Sequence, residues 1–310
     1  MKYHDSTPDC HNFQHPIPQP HQPSISACLI VKDGAATLDR CLASIAPVVD
    51  EIIVVDTGST DSSVEIARRY TDKVFFYPWH DDFAAARNES LRHATGDWIM
   101  VIDADEWLEP EIYPCLREYI RIVQTKRKQV HSLPILNAKI CYPDQPALFK
   151  RTLFPNHSSL YFAGRVHEVL ASELPLQNYL CHELKLQHGL IEIEKSISKQ
   201  AYYHHLLVQS INEAPTAELQ LHALKHLGDS YWSQGQKHFA QKLYHKYLST
   251  LKALNLWNSS DWFITQVEQR LLTLRSKAGK LAPQLGFIAS LGILTACQAA
   301  IPGNISHPNI

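Results

Sequence analysis

Hydrophobic positions along the first hundred residues follow two alternating periods, one typical of buried strands and one typical of helices. The predicted strands are apolar runs rich in β-branched residues at 24–31, 51–55, 74–77 and 98–102. The predicted helices lie between them at 35–46, 61–70 and 82–93. Strands that alternate with helices form a mainly parallel sheet with helices on both faces. The predicted fold class is therefore α/β, with a Rossmann-like first domain.

Between residues 130 and 190 the pattern changes to short segments that are broken by prolines. These are Pro134, Pro143, Pro146, Pro155 and Pro175. Proline cannot donate a hydrogen bond to a neighbouring strand, so it is uncommon inside a sheet. We therefore expect antiparallel strands and loops here, closing over the crevice of the first domain where a second substrate would bind.

Beyond Glu192 the chain returns to a helical pattern. Residues 224–248 follow the spacing of a tetratricopeptide repeat. A single repeat cannot bury its own apolar face, so we expect it to pack on helices around 197–212 and 260–276 or on the sheet domain. The segment 285–301 has no charged residue but is slightly short of the ~20 apolar residues that span a membrane. A docking or terminal core helix is favoured there over a membrane anchor.

The length of 310 residues exceeds the usual size of one domain and predicts a larger and a smaller one. The first 23 residues are rich in His and Pro and lack an apolar run, which argues against a secretory signal and predicts disorder. The predicted organisation is a disordered tail at 1–23, a sheet domain at 24–192, a tetratricopeptide-like helical domain at 193–280, and an apolar C-terminal segment at 281–310.

The amino-acid composition limits which partners the protein binds and indicates its redox compartment. With 29 basic and 31 acidic residues, the net charge is near -2. Nucleic-acid binding relies on neutralising phosphates, so this balance argues against a nucleic-acid partner. The seven cysteines form an odd set without Cys-x-x-Cys spacing, which favours a reducing cytoplasm.

Acidic residues follow two of the predicted strands at the point where each strand ends. Asp56 follows the strand at 51–55, and Asp103 and Asp105 follow the strand at 98–102. The carboxyl ends of parallel strands form a crevice that binds ligands. Two carboxylates separated by one residue can hold a hard divalent cation that bridges a diphosphate. The sequence therefore predicts a nucleotide-sugar site at this edge of the sheet.

Several segments, taken in order, resemble one known family. They are Ile25 to Lys32, Val54 to Asp61, Asp82 to Asn88, Gly96 to Trp98, Asp103 to Trp107, Phe149 to Arg151, Gly164 to Glu168 and His188-Gly189. This set is similar to the bacterial family 2 glycosyltransferases, which have a GT-A fold and are often fused to tetratricopeptide repeats. The resemblance implies metal-dependent, inverting transfer of a sugar from a nucleotide-diphosphate sugar, with Mg or Mn as the cofactor.

The resemblance also implies roles for individual residues. Asp105 is expected to bind the metal, because hard oxygen ligands suit these ions, and Asp103 to bind the ribose or a metal-bound water. Asp56 is expected to accept a hydrogen bond from a base N–H, as from uracil, which indicates a UDP-sugar donor. His167 is expected to bind the metal or to contact the diphosphate.

The remaining expected site residues surround these carboxylates. The other predicted nucleotide-binding residues are Val31, Lys32, Ser59 and Arg87. The Arg87 guanidinium is suited to meet a phosphate or to hold Asp103. Glu168 is the predicted general base for the acceptor hydroxyl, with Asp144 or a carboxylate of an acceptor domain as alternatives. His188 is a further candidate for contact with the diphosphate.

Several alternatives stay open at this point. The acceptor is a saccharide, a lipid-linked glycan or a protein, and both a protein partner of the helical domain and peripheral association with the inner face of the membrane are compatible with the sequence. A sugar-phosphate nucleotidyltransferase would need a Gly-rich, basic loop after the first strand, whereas residues 32–36 offer one Gly and one cation. A repeat-containing adaptor with a decayed transferase domain is disfavoured by the intact acidic residues.

Overall fold

The computed structural model describes residues 3–4, 22–125, 132–143, 146–189, 193–257 and 262–278. The chain divides into two compact units. The first contains the described residues up to Ala163 and resumes at Glu168, and the second contains Gly164–His167 and continues from Ile193. Apart from residues 3–4 and 22–23, the predicted disordered tail lies outside the described residues, and so does the apolar segment at 281–310.

The first unit is built on one large sheet. Its strands are β1 Tyr3–His4, β2 Ile25–Val31, β3 Glu51–Asp56, β4 Val74–Phe76, β5 Trp98–Val101, β6 Glu106–Leu108, β7 Leu133–Cys141, β8 Leu148–Pro155 and β11 Leu176–His188. They lie in the order β1-β11-β7-β8-β5-β2-β3-β4, and β6 pairs with β11. A separate two-stranded antiparallel sheet is formed by β9, Leu160–Ala163, and β10, Val169–Ser172.

The helices of the first unit are the three that the apolar spacing predicts and one more. They are α1 Ala35–Ile45, α2 Ser63–Ala67, α3 Phe83–His93 and α4 Leu116–Thr125. Asp82 caps α3, because its side chain accepts a hydrogen bond from the Ala85 N–H. The α4 helix is not among the predicted elements, although Leu116, Tyr119 and Ile120 recur at helical spacing and are buried in the core.

The parallel half of the sheet confirms the α/β prediction. Strand β2 pairs in parallel with β3 on one side and β5 on the other, and each of its residues is buried. The register sets Val31 opposite Asp56 and Cys28 opposite Val101. The carboxyl ends of β2, β3 and β5 therefore lie at the same edge of the sheet. The predicted site residues Lys32, Asp56 and Asp103 are at or just after these strand ends.

The second half of this unit differs from the expected short antiparallel segments. Strands β7 and β11 are long and pair with each other in parallel, whereas β8 is antiparallel to both β5 and β7. The prolines explain the difference, because they lie near strand ends: Pro134 is the second residue of β7 and Pro155 the last of β8. They delimit strands that extend the main sheet.

The second unit is helical, as expected beyond Glu192. Its helices are α5 Ile193–Glu213, α6 Ala217–Ser233, α7 Lys237–Ala253 and α8 Trp262–Ala278. A Cβ on Gly228 of α6 would lie 2.5 Å from Cε1 of Tyr244 on α7, so a residue without a side chain permits this close helix packing. Asp229 joins three helices, because it pairs with Lys225 and accepts hydrogen bonds from the Tyr244 hydroxyl and from Arg270.

Among the described helices, none combines the length and the apolar character that a membrane span requires. This result does not cover the charge-free segment at 285–301, which lies outside the described residues.

Candidate functional site

Asp56 is the last residue of β3, and its carboxylate is held by the backbone that follows it. The N–H groups of Gly58 and Ser59 donate to it over 3.0 and 3.2 Å. This turn needs a positive φ of 107° at Gly58, a conformation that glycine adopts without a steric cost. The buried Asp56 carboxylate therefore has a fixed orientation at the edge of the sheet.

The loops that follow β2 and β3 are joined by a set of short polar contacts. The Asp33 N–H donates to Ser59 Oγ at 2.9 Å, and Asp33 Oδ1 accepts from the Thr60 N–H at 2.6 Å. The Gly34 N–H donates to Ser63 Oγ at 2.8 Å. Ser59 is thus held in place by its own hydroxyl, beside the carboxylate of Asp56.

Of the two predicted residues at the end of β2, only Lys32 has a side chain free to meet a ligand. Val31 is fully buried, and its carbonyl oxygen accepts hydrogen bonds from the Thr57 N–H and hydroxyl. The Val31 carbonyl therefore stabilises the loop that follows Asp56. Any contact of Val31 with a nucleotide stays a prediction. Lys32 is half-buried and forms no hydrogen bond or ion pair with the residues that the structure describes.

Asp103 lies at the centre of a group of charged side chains that come from one helix, two strands and a loop. Arg87 of α3 donates through Nη2 to its Oδ1 at 2.7 Å, and Lys150 of β8 donates to its Oδ2 at 2.5 Å. Lys150 also lies 2.8 Å from Oε2 of Glu106 in β6. We call Arg87, Asp103, Glu106, Lys150 and Glu168 the charged cluster.

The electrostatics of the charged cluster follow from burial and from its two cations. Burial acts to raise the pKa of Asp103, but the neighbouring Lys150 and Arg87 outweigh it and lower that pKa below its usual value. Burial raises the pKa of Glu106. The nearby Asp103 raises this pKa further, whereas Lys150 acts to lower it. The pKa of Lys150 is raised by Asp103 and Glu106 against the effect of its burial. Lys150 is therefore charged at neutral pH and neutralises the two acids.

Glu168 joins the charged cluster through Arg87. The Nε of Arg87 donates to the Glu168 carboxylate, while Nη2 of the same guanidinium holds Asp103. The two acidic neighbours raise the pKa of Arg87 although burial opposes this shift. The buried Nη1 of Arg87 has no hydrogen-bond partner within the described part of the chain. One guanidinium thus connects the predicted general base with the predicted ribose-binding carboxylate.

Asp105 lies beside His188, a pairing that the strand register produces. His188 is the last residue of β11 and pairs opposite Glu106 of β6, so its ring meets the Asp105 side chain. Nε2 of His188 lies 3.3 Å from Asp105 Oδ2, and the Asp105 side chain is 44% exposed. Nδ1 of His188 lies 2.8 Å from the Gly189 carbonyl oxygen. A carbonyl only accepts, which assigns the donor proton to Nδ1 and makes Nε2 available as a metal ligand.

These donors fit a divalent metal that also binds phosphate oxygens. A neutral imidazole nitrogen and a carboxylate oxygen both present lone pairs, and a cation between them satisfies both. Mg²⁺ in particular is usually held by one or two protein groups together with substrate phosphates. No group of three or more His, Cys, Asp or Glu side chains is arranged as a metal site among the described residues.

His167 packs among residues of the helical unit, and its predicted role at the metal or the diphosphate stays a prediction. It belongs to the second unit, where its ring stacks on His226 of α6 with centroids 4.3 Å apart. Burial lowers the pKa of His226, and the nearby His167, His222 and Lys225 lower it further, so the stack involves a neutral imidazole. Asp105 and His167 belong to different units, and within the first unit His188 lies beside Asp105.

The sequence alone did not assign roles to Lys150 and Glu106. Both occur in segments that carry the family resemblance, but their pairing depends on β8 lying next to β5, which residue spacing does not predict. Asp144, the alternative general base, lies outside the described residues. A lysine that directly follows the apolar pair Leu148-Phe149 is the signal in the sequence that would have drawn attention to Lys150.

The chain is similar to proteins of one known family. The sequence profile described as Glycosyl transferase family 2 matches residues 26–124. An uncharacterized glycosyltransferase of Rickettsia conorii is 36% identical over 191 residues, which covers 58% of this chain and 67% of that protein. A TPR repeat-containing protein of Synechococcus elongatus is 39% identical over 150 residues, or 48% of this chain and 36% of that protein.

The chain belongs to the family 2 glycosyltransferases, as the resemblance in its motifs predicted. It spans only about a third of the Synechococcus relative and about two thirds of the Rickettsia relative. Among solved structures, Staphylococcus aureus TarS 1-349 superposes with a TM-score of 0.49 at 10% identity, covering 86% of this chain and 94% of that one.

Proposed function

We propose that this protein transfers a sugar from a nucleotide-diphosphate sugar, with UDP as the nucleotide, to an acceptor hydroxyl in a metal-dependent, inverting reaction. The observation that carries the proposal is the charged cluster at the carboxyl edge of the sheet, with Asp56 at the end of β3 and Asp105 on the loop between β5 and β6. Strands β3 and β5 flank β2, so Asp56 and Asp103 leave the sheet about 10 Å apart. That separation suits a nucleoside whose base and ribose contact different strands.

In this proposal the nucleotide binds along the ends of β2, β3 and β5. The fixed Asp56 carboxylate accepts a hydrogen bond from the uracil N–H, with Ser59 beside it. Asp103 binds the ribose, and Lys32 neutralises part of the diphosphate charge. Lys150 and Arg87 keep Asp103 ionised and oriented, because both of its oxygens are held by cations.

Asp105 and His188 would hold a Mg or Mn ion. Such an ion, when bound, stabilises the negative charge that develops on the departing diphosphate. His188 takes the place that the sequence analysis gave to His167, since its Nε2 lies beside Asp105 Oδ2. The exposure of the Asp105 side chain is consistent with a ligand that approaches from solvent.

Glu168 is the proposed general base. Its carboxylate removes the proton of the acceptor hydroxyl, the acceptor oxygen bonds to the anomeric carbon, and the bond from that carbon to the diphosphate oxygen breaks. A single displacement of this kind inverts the configuration. Arg87 orients the carboxylate through one oxygen, and a carboxylate retains further lone pairs for the acceptor.

The acceptor in this proposal is a saccharide, a lipid-linked glycan or a protein, and the place of action is the cytoplasm. All five cysteines described by the structure are free thiols, which supports a reducing compartment. A protein partner of the helical unit and peripheral association with the inner face of the membrane remain part of the proposal.

The experiment that tests this function is a donor panel. The protein is incubated with Mn²⁺ and individual nucleotide sugars, and release of the nucleoside diphosphate is measured. Release from one or more UDP-sugars, abolished by Asp105→Ala, is the expected result. Release of pyrophosphate from UTP and a sugar phosphate would support the nucleotidyltransferase alternative, and no turnover of any kind would favour an adaptor.

A further inference from the structure

Tyr142 lies at the edge of the sheet that carries the predicted site residues. Strand β8 is antiparallel to both β5 and β7, and β7 is parallel to β11, so β5, β7 and β11 run in the same direction. Their carboxyl ends therefore lie at one edge of the sheet. Asp103 follows shortly after β5, His188 is the last residue of β11, and Tyr142 is the first residue after β7. The topology thus brings a tyrosine to the edge where the site is formed.

The ring of Tyr142 is held against the imidazole of His188. Cys141 lies opposite Gln187 in the pairing of β7 with β11. The next residues along, Tyr142 and His188, have ring centroids 4.8 Å apart and an interplanar angle of 37°. Tyr142 is half-buried and packs on the hydrophobic core of the first unit. Pro143 restricts the residue before it to extended backbone conformations. Backbone, core and imidazole together give the tyrosine a fixed position.

The Tyr142 hydroxyl is a hydrogen-bond donor that the described residues leave unused. It forms no hydrogen bond within the part of the chain that the structure describes. The two cations of the charged cluster are already paired, since Arg87 and Lys150 each donate to Asp103. A half-buried hydroxyl loses part of its hydration, so a ligand that accepts its hydrogen bond restores what folding removed. The hydroxyl is therefore suited to a ligand that brings hydrogen-bond acceptors to this edge of the sheet.

The charges that act on Tyr142 are those of the site. Burial raises the pKa of Tyr142, and nearby carboxylates raise it further against the effect of Lys150. These carboxylates belong to Glu106, Asp103 and Asp105. The tyrosine therefore lies near the acidic strand ends as well as against His188. Because His188 and Asp105 are the proposed metal ligands, the acceptor atoms that a donor substrate brings to this place are the oxygens of its diphosphate.

We infer that the hydroxyl of Tyr142 donates a hydrogen bond to a diphosphate oxygen of the nucleotide-sugar donor, beside His188 and Asp105. This inference rests on the proposed function. A hydroxyl that donates to an anionic oxygen forms a short and strong hydrogen bond. It also leaves the net charge of the site unchanged, so it does not disturb the pairing of Asp103 with its cations. Tyr142 is then a donor-binding residue that recognises the phosphates, whereas Asp56 and Asp103 recognise the nucleoside.

The test removes the hydroxyl and keeps the ring. Tyr142→Phe retains the aromatic ring that packs on His188 and on the core, so the fold and this ring contact should persist. Tyr113→Phe is the matched control, because Tyr113 is also half-buried on the same core. Its hydroxyl likewise forms no hydrogen bond among the residues that the structure describes. Burial and the nearby Glu109 and Glu111 raise the pKa of Tyr113, so its acidic neighbours are not those of the site.

Each full-length protein is titrated at saturating Mn²⁺ with UDP, with a UDP-sugar that the donor panel selects, and with uridine, which lacks the phosphates. We expect Tyr142→Phe to bind UDP and the UDP-sugar about tenfold more weakly, because one hydrogen bond to a charged group is lost. Its affinity for uridine should stay within about twofold of wild type. Tyr113→Phe should bind all three ligands as wild type does. Calorimetry measures the nucleotides, and ligand-observed NMR measures uridine.

Unchanged UDP affinity in Tyr142→Phe would overturn the inference, and a loss confined to the UDP-sugar would do so as well, since the hydroxyl would then contact the sugar. An equal loss for uridine, or an equal loss in Tyr113→Phe, would also overturn it, because the effect would not be specific to the phosphates. Each of these results leaves the proposed function intact as long as wild type binds UDP. A wild-type protein that does not bind UDP with Mn²⁺ would overturn the proposed function and the inference together.

Discussion

The ammonium group of Lys150 lies 2.5 Å from the carboxylate of Asp103, although the two residues are 47 positions apart in the sequence. The contact exists because β8 inserts antiparallel to β5 and so places its side chains over the turn that follows β5. Lys150 neutralises both Asp103 and Glu106, which would otherwise repel each other across one turn. The acidic motif is thus stabilised by a cation from a distant strand.

Replacing Lys150 by Met should therefore damage both stability and nucleotide binding. We expect the free energy of unfolding to fall by about 1–3 kcal/mol, because two partly buried carboxylates lose their cation. UDP affinity should fall as well, since Asp103 is no longer held. Urea unfolding and UDP titration measure the two effects. Lys139→Met on neighbouring β7 is the control, with an expected change within about 0.5 kcal/mol.

The choice between His188 and His167 as metal ligand can be tested directly. His188→Ala should weaken Mn²⁺-dependent UDP binding by at least about tenfold, because Asp105 would be left as the single protein ligand. His167→Ala should leave that binding within about twofold. UDP titrations at several Mn²⁺ concentrations measure both, and a larger effect of His167→Ala would restore the assignment made from the sequence.

Glu168→Gln should separate catalysis from binding. The amide is nearly the same size and can still contact Arg87, but it cannot take a proton, so kcat should fall by about 100-fold or more. UDP affinity in the presence of Mn²⁺ should change by less than about threefold. Steady-state kinetics and UDP titration check the two parts. Retained turnover would transfer the role of base to another carboxylate, such as Asp144.

Acid stability should depend on Glu51, which lies at the opposite end of β3 from Asp56. Burial acts to raise its pKa, but hydrogen bonds from Lys73, Ser26 and Thr95 lower it to about 2. A carboxyl whose pKa is depressed by folding adds stability above its unfolded pKa, and this contribution is lost as pH falls toward 2. Glu51→Gln should therefore cost about 3 kcal/mol at most at pH 7.

The diagnostic feature of the Glu51 prediction is its pH dependence. The difference in unfolding free energy between wild type and Glu51→Gln should shrink steadily from pH 5 to pH 2. Urea denaturation at a series of pH values measures it. A difference that is the same at every pH would mean that Glu51 contributes through packing and not through its charge.

The sequence predicted the parallel half of the sheet because its signals are local. The alternation of apolar strands with helices up to Val101 depends on neighbours within a few residues, and so does the position of Asp56 and Asp103 at strand ends. Strand pairing in the second half is not local: β7 pairs with β11, whose first residue, Leu176, lies opposite Leu133. Nothing in the spacing of the prolines distinguishes strand ends from strand interruptions.

The same distinction applies to the site. Asp103 and Arg87 could be linked in advance because both lie in segments that resemble the family. The contacts of His188 with Asp105 and of Lys150 with Asp103 result from long-range pairing of β11 with β6 and of β8 with β5. The separate environment of His167 depends on the fold of helices that come later in the chain, which its own motif does not reveal.

The measurement that tests the account most directly is the thermal unfolding of wild type and Asp105→Ala with UDP, with Mn²⁺, and with both. If acidic strand ends hold a metal that binds a nucleoside diphosphate, UDP and Mn²⁺ together should raise the wild-type Tm by about 3–5 °C at saturating UDP. Either ligand alone should have a much smaller effect, and Asp105→Ala should lose the joint increase. Equal stabilisation of both proteins, or none of wild type, would contradict the account.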